Sequence, residues 1–224
     1  MRVAILATLL AVTLTPCLAE TELRIALYQG FLPSQQSLLT QLQTATASTD
    51  LKLTFTDPLP PQRALSMAAS GQLDGDVLRQ PFAVEGLPSL IKVPVPLAIF
   101  EYWVWVPQAK RCPANLDQLK QFKPVGILGL KYFEFAYQLS KVGHEEVTSI
   151  PALMEMLKYD RAQYSLASEQ SAMAFSHSTG VQIRRCLNDP LVRTFGYFYL
   201  NERHRQWLPV LEQALTPLRV DRQP

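Results

Sequence analysis

A single arginine stands at the end of a short segment that carries two closely spaced acidic residues. Residues 73–78 read LDGDVL and lead to Arg79, in a loop that Pro81 closes. A guanidinium can form paired hydrogen bonds with a carboxylate or phosphate group. At the end of a strand in an α/β sheet, it would lie where such sheets hold ligands. We therefore predict that Arg79 binds an anion. A surface arginine paired with Asp76 or Glu85 is the alternative.

The elements before Arg79 would position its side chain. Pro60 and Pro61 stand where a helix can begin without losing a needed N–H, and alanine and leucine residues follow at helical spacing until Gly71. Before this helix, β-rich runs at residues 23–28 and 51–56 enclose another helical pattern. The order is β-α-β-α-β, and strands that alternate with helices predict a mostly parallel sheet.

The second half of the chain shows the same alternation. Residues 90–96 form an extended run whose prolines suit the edge of a sheet, and residues 99–106 form an aromatic β run. Residues 143–146 are predicted as a loop. The remaining predicted elements are a helix at residues 115–122, a strand at 125–128, helices at 131–142 and 149–159, a strand at 164–167, a helix at 169–178, strands at 181–186 and 192–200, and a helix at 205–218 that Pro209 interrupts early. These patterns predict an α/β protein of one large domain or two small lobes.

The first 19 residues have the pattern of a secretory leader. Arg2 supplies a positive charge, residues 3–14 form an apolar stretch, and the small residues that follow predict cleavage after Ala19. An uncleaved membrane anchor is the alternative. Acylation of Cys17 would require a small residue where Pro16 stands, so we do not predict a lipoprotein.

Composition excludes some classes of function. The chain has 21 Lys and Arg residues against 19 Asp and Glu residues, and these charges are scattered, so no nucleic-acid-binding surface is predicted. Once the leader is removed, Cys112 and Cys186 remain, and an even pair in an oxidising compartment predicts a disulfide bond. Two buried thiols are the alternative. The spacing of Cys and His residues matches no zinc site, so no metal and no cofactor are predicted.

The stretch from residue 70 to residue 79 resembles a known family. It reads small residue, Gly, polar residue, Leu, Asp-Gly-Asp, two residues and Arg, and the Pro-rich sequence LIKVPVPL follows at residues 90–97. This pattern is similar to that of the extracellular solute-binding proteins of family 3, the amino-acid-binding type of ABC-transporter receptor, and in particular to their short, divergent members in Gram-negative bacteria. The resemblance covers most of the chain after the leader. It implies a monomeric periplasmic protein that binds a small solute, with a membrane permease or sensor protein as its partner.

The resemblance also implies an architecture. Members of the family have the type II periplasmic-binding fold, in which two α/β lobes joined by a hinge close on a ligand cleft. In this chain, residues 20–100 and 190–224 would form lobe 1, and residues 101–189 would form lobe 2. Hinge segments would lie near residues 98–103 and 189–194.

The resemblance further implies where a carboxylate would bind. Arg79 is the candidate in lobe 1. In lobe 2, Gly129, Leu130, Lys131 and Tyr132 begin a helix after a buried strand, so their N–H groups and the helix dipole can face an anion. The family usually has a Gly-Thr-Thr-like turn here, and Leu130 and Lys131 replace its hydroxyl groups. A plain strand-to-helix turn is the alternative.

An amino acid also needs an anionic partner for its ammonium group and an apolar wall for its side chain. Family members with such ligands typically have an Asp after the strand at residues 164–167, where this chain has Ser168 and then Glu169. Either Glu169 takes this role or the ligand is not an α-amino acid, and Glu169 otherwise stabilises a helix dipole. Aromatic residues at such positions often serve core packing instead. The candidates for the wall are Tyr28, Phe31 and Tyr132.

The sequence lacks the common catalytic motifs. His144 precedes two glutamates without a second His at helical spacing, and no Gly-x-Ser-x-Gly or phosphate-binding loop occurs. We therefore predict a binding protein with no catalytic residues. The enzymatic alternative is a lyase or dehydratase built on the same fold, with Glu169 or His144 as general acid or base.

Overall fold

The structure is a computed structural model that describes residues 20–28, 36–140 and 143–220. The leader predicted at residues 1–19 and the candidate wall residue Phe31 lie outside the described residues. The strands are β1 (Thr21–Ala26), β2 (Leu51–Phe55), β3 (Gly75–Arg79), β4 (Leu90–Pro107), β5 (Val125–Ile127), β6 (Glu145–Val147), β7 (Ser165–Ala167), β8 (Ile183–Cys186) and β9 (Val192–Asn201). The α-helices are α1 (Gln36–Thr46), α2 (Pro61–Ala69), α3 (Leu116–Leu119), α4 (Lys131–Ser140), α5 (Ile150–Lys158), α6 (Glu169–Thr179) and α7 (Leu208–Leu215).

Several helices begin where the sequence places a starting signal. α2 follows Pro60 and has proline in its first turn, where no helical N–H is needed. The side chain of Asn115 accepts a hydrogen bond from the amide of Gln118 at the start of α3, and Ser149 caps α5 in the same way. These local signals explain why the predicted starts of α2, α3 and α5 agree with the structure to within about a residue.

The main sheet is mixed, which corrects the prediction of a mostly parallel sheet. β1 is parallel to β2 and β3, and β5 is parallel to β6 in a separate pair. β9 is antiparallel to both β3 and β4, and β4 is antiparallel to β7 and β8. The strand order is β2-β1-β3-β9-β4-β7, with β8 also on β4. The antiparallel pairs arise because the chain runs out along β4 and returns beside it along β9.

β4 is one strand of 18 residues, whereas the sequence predicts two extended runs. Its register with β9 shifts on both sides of Pro96. Because proline has no N–H to donate, it interrupts the hydrogen-bond ladder without ending the strand. Among the described strands, residues 90–96 pair with β9 alone, so this part of β4 lies at the edge of the sheet, as its prolines predict.

Two hydrophobic cores lie along β4 and β9. The first contains side chains of α1, α7 and β1 to β3, together with Phe198. The second contains side chains of α4, α5 and β7, including the fully buried Phe133 and Tyr137. Phe100 packs against both cores from the middle of β4. We call the part around the first core the first lobe and the part around the second core the second lobe.

The structure contradicts one local prediction and agrees with another. Residues 145–147 form β6, although residues 143–146 are predicted as a loop. The strand exists because it pairs with β5, which no local pattern shows. The helix predicted at residues 205–218 is interrupted early, as predicted, and is divided into the 3₁₀ segment Glu202–Trp207, α7 and the 3₁₀ segment Thr216–Leu218. Pro209 lies in the first turn of α7, so the α-helix begins there and does not extend through it.

Cys112 and Cys186 form the predicted disulfide bond. Their Cα atoms are 5.5 Å apart, within the usual range for such a bridge. The bond joins the loop after β4 to the end of β8 across 74 positions of the chain. It therefore closes a loop that contains most of the second lobe.

Candidate functional site

A bulge in β3 brings Arg79 back towards Asp76. Asp76 pairs with Tyr199 of β9 and Arg79 pairs with Tyr197, so β3 contains one residue more than β9 between these pairs. Leu78 accommodates the extra residue with a backbone φ of 59°, a value that residues other than glycine rarely adopt. Backbone strain of this kind is often found at functional sites. The bulge therefore explains how two residues three positions apart form a direct contact.

The glycine between the two acidic residues is required by the same pairing. A Cβ atom added to Gly75 would lie 2.4 Å from the carbonyl oxygen of Tyr199, which is far inside contact distance. Only glycine lets β3 approach β9 this closely. The Asp-Gly-Asp sequence thus sets the position of Asp76 on the strand.

Arg79 is buried in a defined set of contacts. Its Nε donates a hydrogen bond to Oδ2 of Asp76 at 2.7 Å, and its Nη2 donates to the carbonyl oxygen of Pro61 at 3.0 Å. Its Cζ lies 4.2 Å from the ring centroid of Tyr28, a cation–π contact. The alternative that Arg79 pairs with Asp76 thus holds, but the pair is buried and not at the surface: the Arg79 side chain is 7% exposed and that of Asp76 is 0% exposed.

Asp76 has one oxygen that the structure leaves without a partner. Oδ2 binds Arg79, whereas Oδ1 is buried and has no hydrogen-bond partner among the described residues. Burial raises the pKa of Asp76 to about 6, because the loss of hydration outweighs the attraction of the Arg79 charge and the hydrogen bonds from the Arg79 side chain and the Val77 amide. A carboxyl group of this kind can change its protonation state near neutral pH.

Two tyrosines of the second lobe lie close to these residues. Tyr102 of β4 and Tyr132 of α4 stack with their ring centroids 4.1 Å apart, and Nε2 of Gln80 donates a hydrogen bond to the Tyr102 hydroxyl at 3.0 Å. Burial raises the pKa of both tyrosines, and it raises the pKa of Tyr28 to about 12. We call this group the seam cluster; its members are Tyr28, Asp76, Arg79, Gln80, Tyr102 and Tyr132.

Direct contacts join the two lobes beside the seam cluster. Phe82, in the 3₁₀ segment Pro81–Ala83, stacks on Phe135 of α4 with ring centroids 4.6 Å apart. Nε2 of Gln62 in α2 donates a hydrogen bond to the carbonyl oxygen of Gly129 at 3.3 Å. The end of β3 and the start of α4 therefore face each other, and Arg79 lies where the lobes meet.

The turn before α4 uses some of its polar groups internally. Gly129 has φ of 83°, a conformation that favours glycine. The N–H of Leu130 donates to the carbonyl oxygen of Ile127 at 3.1 Å, so it is not free for a ligand. Nζ of Lys131 lies 2.7 Å from Glu134 in a partly exposed ion pair. Of the four candidates in this turn, the structure brings only Tyr132 into the seam cluster and places Gly129 against Gln62.

Ser168 and Glu169 occupy a different position. The Ser168 hydroxyl caps α6 by accepting a hydrogen bond from the amide of Ser171 at 3.2 Å. The Glu169 side chain is 69% exposed, and its carboxylate lies 3.9 Å from the guanidinium of Arg185. Within the described ranges, Glu169 makes no contact with the seam cluster. Its role as an ammonium partner stays a prediction.

Three contributors to the site were not expected from the sequence. Gln80 and Phe82 follow Arg79 directly and carry contacts to the second lobe. Tyr102 belongs to the aromatic run of β4, whose alternation does not distinguish a core residue from one at the seam. The signal that could have identified it is its place where β4 passes from the first core to the second.

Among the described residues, the largest features away from the seam cluster do not combine buried charges with a contact between the lobes. A groove of about 920 Å³ lies between α1 and α7 on the first lobe, and its lining is mostly small or polar. Residues 20–28, 36–140 and 143–220 include neither a helix long and apolar enough to span a bilayer nor a group of three His, Cys, Asp or Glu side chains that could hold a metal ion. The seam cluster is thus the best supported candidate site in this part of the chain.

Comparisons with known proteins identify the fold. No protein-family model matches the sequence, and no curated protein matches it. Among solved structures, the chain is similar to the probable amino-acid ABC transporter extracellular-binding protein YtmK from Bacillus subtilis, with a TM-score of 0.68, 13% identity and coverage of 88% of this chain and 91% of that chain. It is also similar to a histidine kinase sensor domain with similarity to periplasmic binding proteins, with a TM-score of 0.67, 11% identity and coverage of 89% and 91%.

A third similar structure is the Gly52Ala mutant of the arginine-bound arginine-binding protein ArgBP from T. maritima, with a TM-score of 0.62, 11% identity and coverage of 88% of this chain and 96% of that chain. TM-scores of this size over most of both chains establish a common fold, whereas identities of 11% to 13% do not identify the ligand or the partner. The chain therefore has the periplasmic-binding-protein fold, as its sequence resemblance to the solute-binding proteins implies.

Proposed function

We propose that this protein is a periplasmic receptor that binds a small anionic or zwitterionic solute, of the size of an amino acid, between its two lobes and presents it to an ABC transporter. The observation that carries the proposal is the position of Arg79. It is a buried cation at the contact between the lobes, in a fold that the arginine-bound protein from T. maritima also has. Charge-assisted, paired hydrogen bonds make arginine well suited to bind a carboxylate.

The remaining guanidinium donors would hold the ligand. An arginine side chain has five N–H groups, and in the described residues Asp76 and Pro61 accept hydrogen bonds from two of them. Tyr28, Tyr102 and Tyr132 would supply the aromatic wall. Gly129 and Lys131 would have to move to contact the ligand, and lobe opening provides such a movement in two-lobed proteins.

Export, cleavage after Ala19 and the absence of catalysis belong to the same proposal. The similar structures are named as binding proteins or as a sensor domain, and this favours binding over turnover. A second candidate function is a receptor that passes its ligand state to a membrane sensor, which the likeness to a histidine kinase sensor domain favours. Neighbouring genes for a permease and ATPase would support transport, and a neighbouring sensor kinase gene would support signalling.

The test is thermal unfolding of the mature protein with a panel of amino acids, acetate, succinate and short peptides. At least one panel member should raise the melting temperature of the wild type, and Arg79→Ala should abolish the shift. Because Arg79→Ala leaves the Asp76 carboxylate buried without its partner, the double variant Arg79→Met with Asp76→Asn is measured as well. Arg161→Ala, at an exposed position of the second lobe, is the control. An unchanged shift in the Arg79 variants would remove this residue from the site.

A further inference from the structure

Anion binding at the seam cluster depends on the net charge of the Asp76 and Arg79 pair. Asp76 and Arg79 form a buried ion pair, so with both groups ionised the pair has no net charge. An anion that approached Arg79, or the carboxylate end of a zwitterion, would then place two carboxylates beside one buried guanidinium and leave one excess negative charge there. Burying an unpaired charge is strongly unfavourable, and proteins avoid it by changing the protonation state of the group.

Asp76 cannot make the direct contact with the ligand. Its side chain has no exposed surface, whereas the Arg79 side chain retains 7%. Asp76 thus lies behind the guanidinium, and it acts on a ligand through Arg79. One of its oxygens, Oδ1, is buried and without a hydrogen-bond partner in the part of the chain that the structure describes, so this oxygen can accept a proton without breaking the hydrogen bond from Arg79 to Oδ2.

We propose that an anion binds at Arg79 together with one proton, which is taken up by Asp76. Asp76 is then a positioning residue that determines when Arg79 can accept an anion. The inference rests on the proposed function, because it requires Arg79 to be the anion-binding group.

Among the described ionisable groups around the Arg79 site, Asp76 is the one whose pKa lies between pH 5 and pH 8. The groups around Asp76 come from several elements. Arg79 lies on the same strand, Tyr28 follows β1, and Tyr199 of β9 pairs with Asp76. β4 contributes Tyr102, and α2 contributes the uncharged carbonyl group of Pro61. Burial raises the pKa of Tyr28 and of Tyr199 to about 12 and raises the pKa of Tyr102 well above its usual value, so these tyrosines stay neutral. The pKa of Asp76, about 6, lies within the range from pH 5 to pH 8.

The sign of the effect follows from linkage. A bound anion disfavours the charged form of Asp76 and raises its pKa above the ligand-free value of about 6. Between these two pKa values the complex holds more protons than the free protein, so affinity increases as the pH falls. Above pH 6, Kd increases by at most about tenfold for each pH unit. Below the ligand-free pKa of Asp76, Kd no longer depends on pH.

The experiment begins with the wild-type protein. Thermal unfolding at pH 5.5 and pH 8 is measured with the twenty amino acids, acetate and succinate, and each that binds is titrated calorimetrically from pH 5.5 to pH 8. Titrations at pH 7 in bis-Tris and in Tris, two cationic buffers whose ionisation enthalpies differ, count the protons taken up. We expect uptake approaching one proton and a Kd that is at least tenfold weaker at pH 8 than at pH 6.

The matched variant is Asp76→Asn, which keeps an oxygen to accept the hydrogen bond from Arg79 but cannot be charged. It should bind the same panel member with a Kd that changes less than twofold from pH 6 to pH 8, without proton uptake. Asp117→Asn removes an exposed carboxylate and should behave as the wild type does. If Asp76→Asn fails to fold, the proton count of the wild type decides alone.

The outcomes separate the two proposals. Binding of any panel member without proton uptake, or binding that weakens as the pH falls, overturns the role of Asp76 and leaves the receptor function intact. If no panel member binds at either pH, the proposed function fails and this inference fails with it.

Discussion

The Asp76→Asn substitution should change how the stability of the ligand-free protein depends on pH. Burial raises the pKa of Asp76 from 3.8 to about 6. The folded protein therefore binds this proton more tightly than the unfolded chain. The resulting contribution to stability is fully present below pH 3.8 and is lost as the pH rises through about 6.

The size of the effect follows from the same two values. A pKa that rises from 3.8 to about 6 shifts by about 2 units, which corresponds to about 3 kcal/mol of differential stability between the two protonation states. About 2 kcal/mol of this change falls between pH 4 and pH 7. The Asp76→Asn variant has no titrating group at this position. Relative to this variant, the wild type should lose about 2 kcal/mol of stability as the pH rises from 4 to 7.

The assay is urea unfolding of both proteins at four pH values from 4 to 7. Asp74→Asn provides a control of opposite sign. Burial raises the pKa of Asp74, but hydrogen bonds from the Arg203 side chain, the Arg24 amide and His204 outweigh it and leave the pKa below its usual value. The stability that Asp74 contributes is therefore present above that usual value and lost as the pH falls.

The reasoning would be refuted if the free energy of unfolding of the wild type increased with pH relative to that of Asp76→Asn. Such an increase would mean that the attraction of Arg79 exceeds the cost of burial and holds the Asp76 pKa low. Asp76 would then be an unsuitable acceptor for the proton that we propose to accompany an anion. The two experiments thus test one physical quantity, first in the free protein and then in the complex.

Two further predictions concern the scaffold. Replacing Cys112 and Cys186 with serine should lower the free energy of unfolding by about 4 kcal/mol, from the loop entropy of a 74-residue separation, and urea unfolding that shows a loss below about 1 kcal/mol would contradict this. Gly75→Ala should cost about 1 to 3 kcal/mol, because the new Cβ would overlap the Tyr199 carbonyl oxygen. Gly143→Ala, with no atom within 4 Å of its new Cβ, is the control; equal melting temperatures for the two variants would refute the overlap.

Local sequence signals predict the helices that begin at a polar or proline residue. The starts of α2, α3 and α5 follow from Pro60, Asn115 and Ser149, because each signal acts within one turn of the chain. The antiparallel course of β9 beside β4 does not follow from such signals, because strand direction depends on how the whole chain returns. β6 is missed for a similar reason, since its order comes from its pairing with β5.

The site could be predicted only in part. Arg79 follows from its place at the end of a strand, and its pairing with Asp76 is one of the two alternatives that the sequence allows. The bulge that joins these residues depends on Leu78 at positive φ, and leucine gives no sign of such a conformation in a sequence. Tyr102 looks like any other residue of an aromatic strand, because burial at the seam and burial in a core leave the same pattern.

One short run of the chain connects the proposed anion site to the second lobe. Arg79 holds the ion pair with Asp76, Gln80 binds the hydroxyl of Tyr102, and Phe82 stacks on Phe135 of α4. Arg79 and Gln80 are joined by one planar peptide unit, so a displacement of the Arg79 backbone is passed on to Gln80 and the segment that follows it. We therefore expect that an anion which shifts Arg79 also shifts the contacts of Gln80 and Phe82 with the second lobe. A change of charge at one buried pair would then be converted into a change in how the lobes meet, and this is the change that a permease or a sensor at the membrane would recognise.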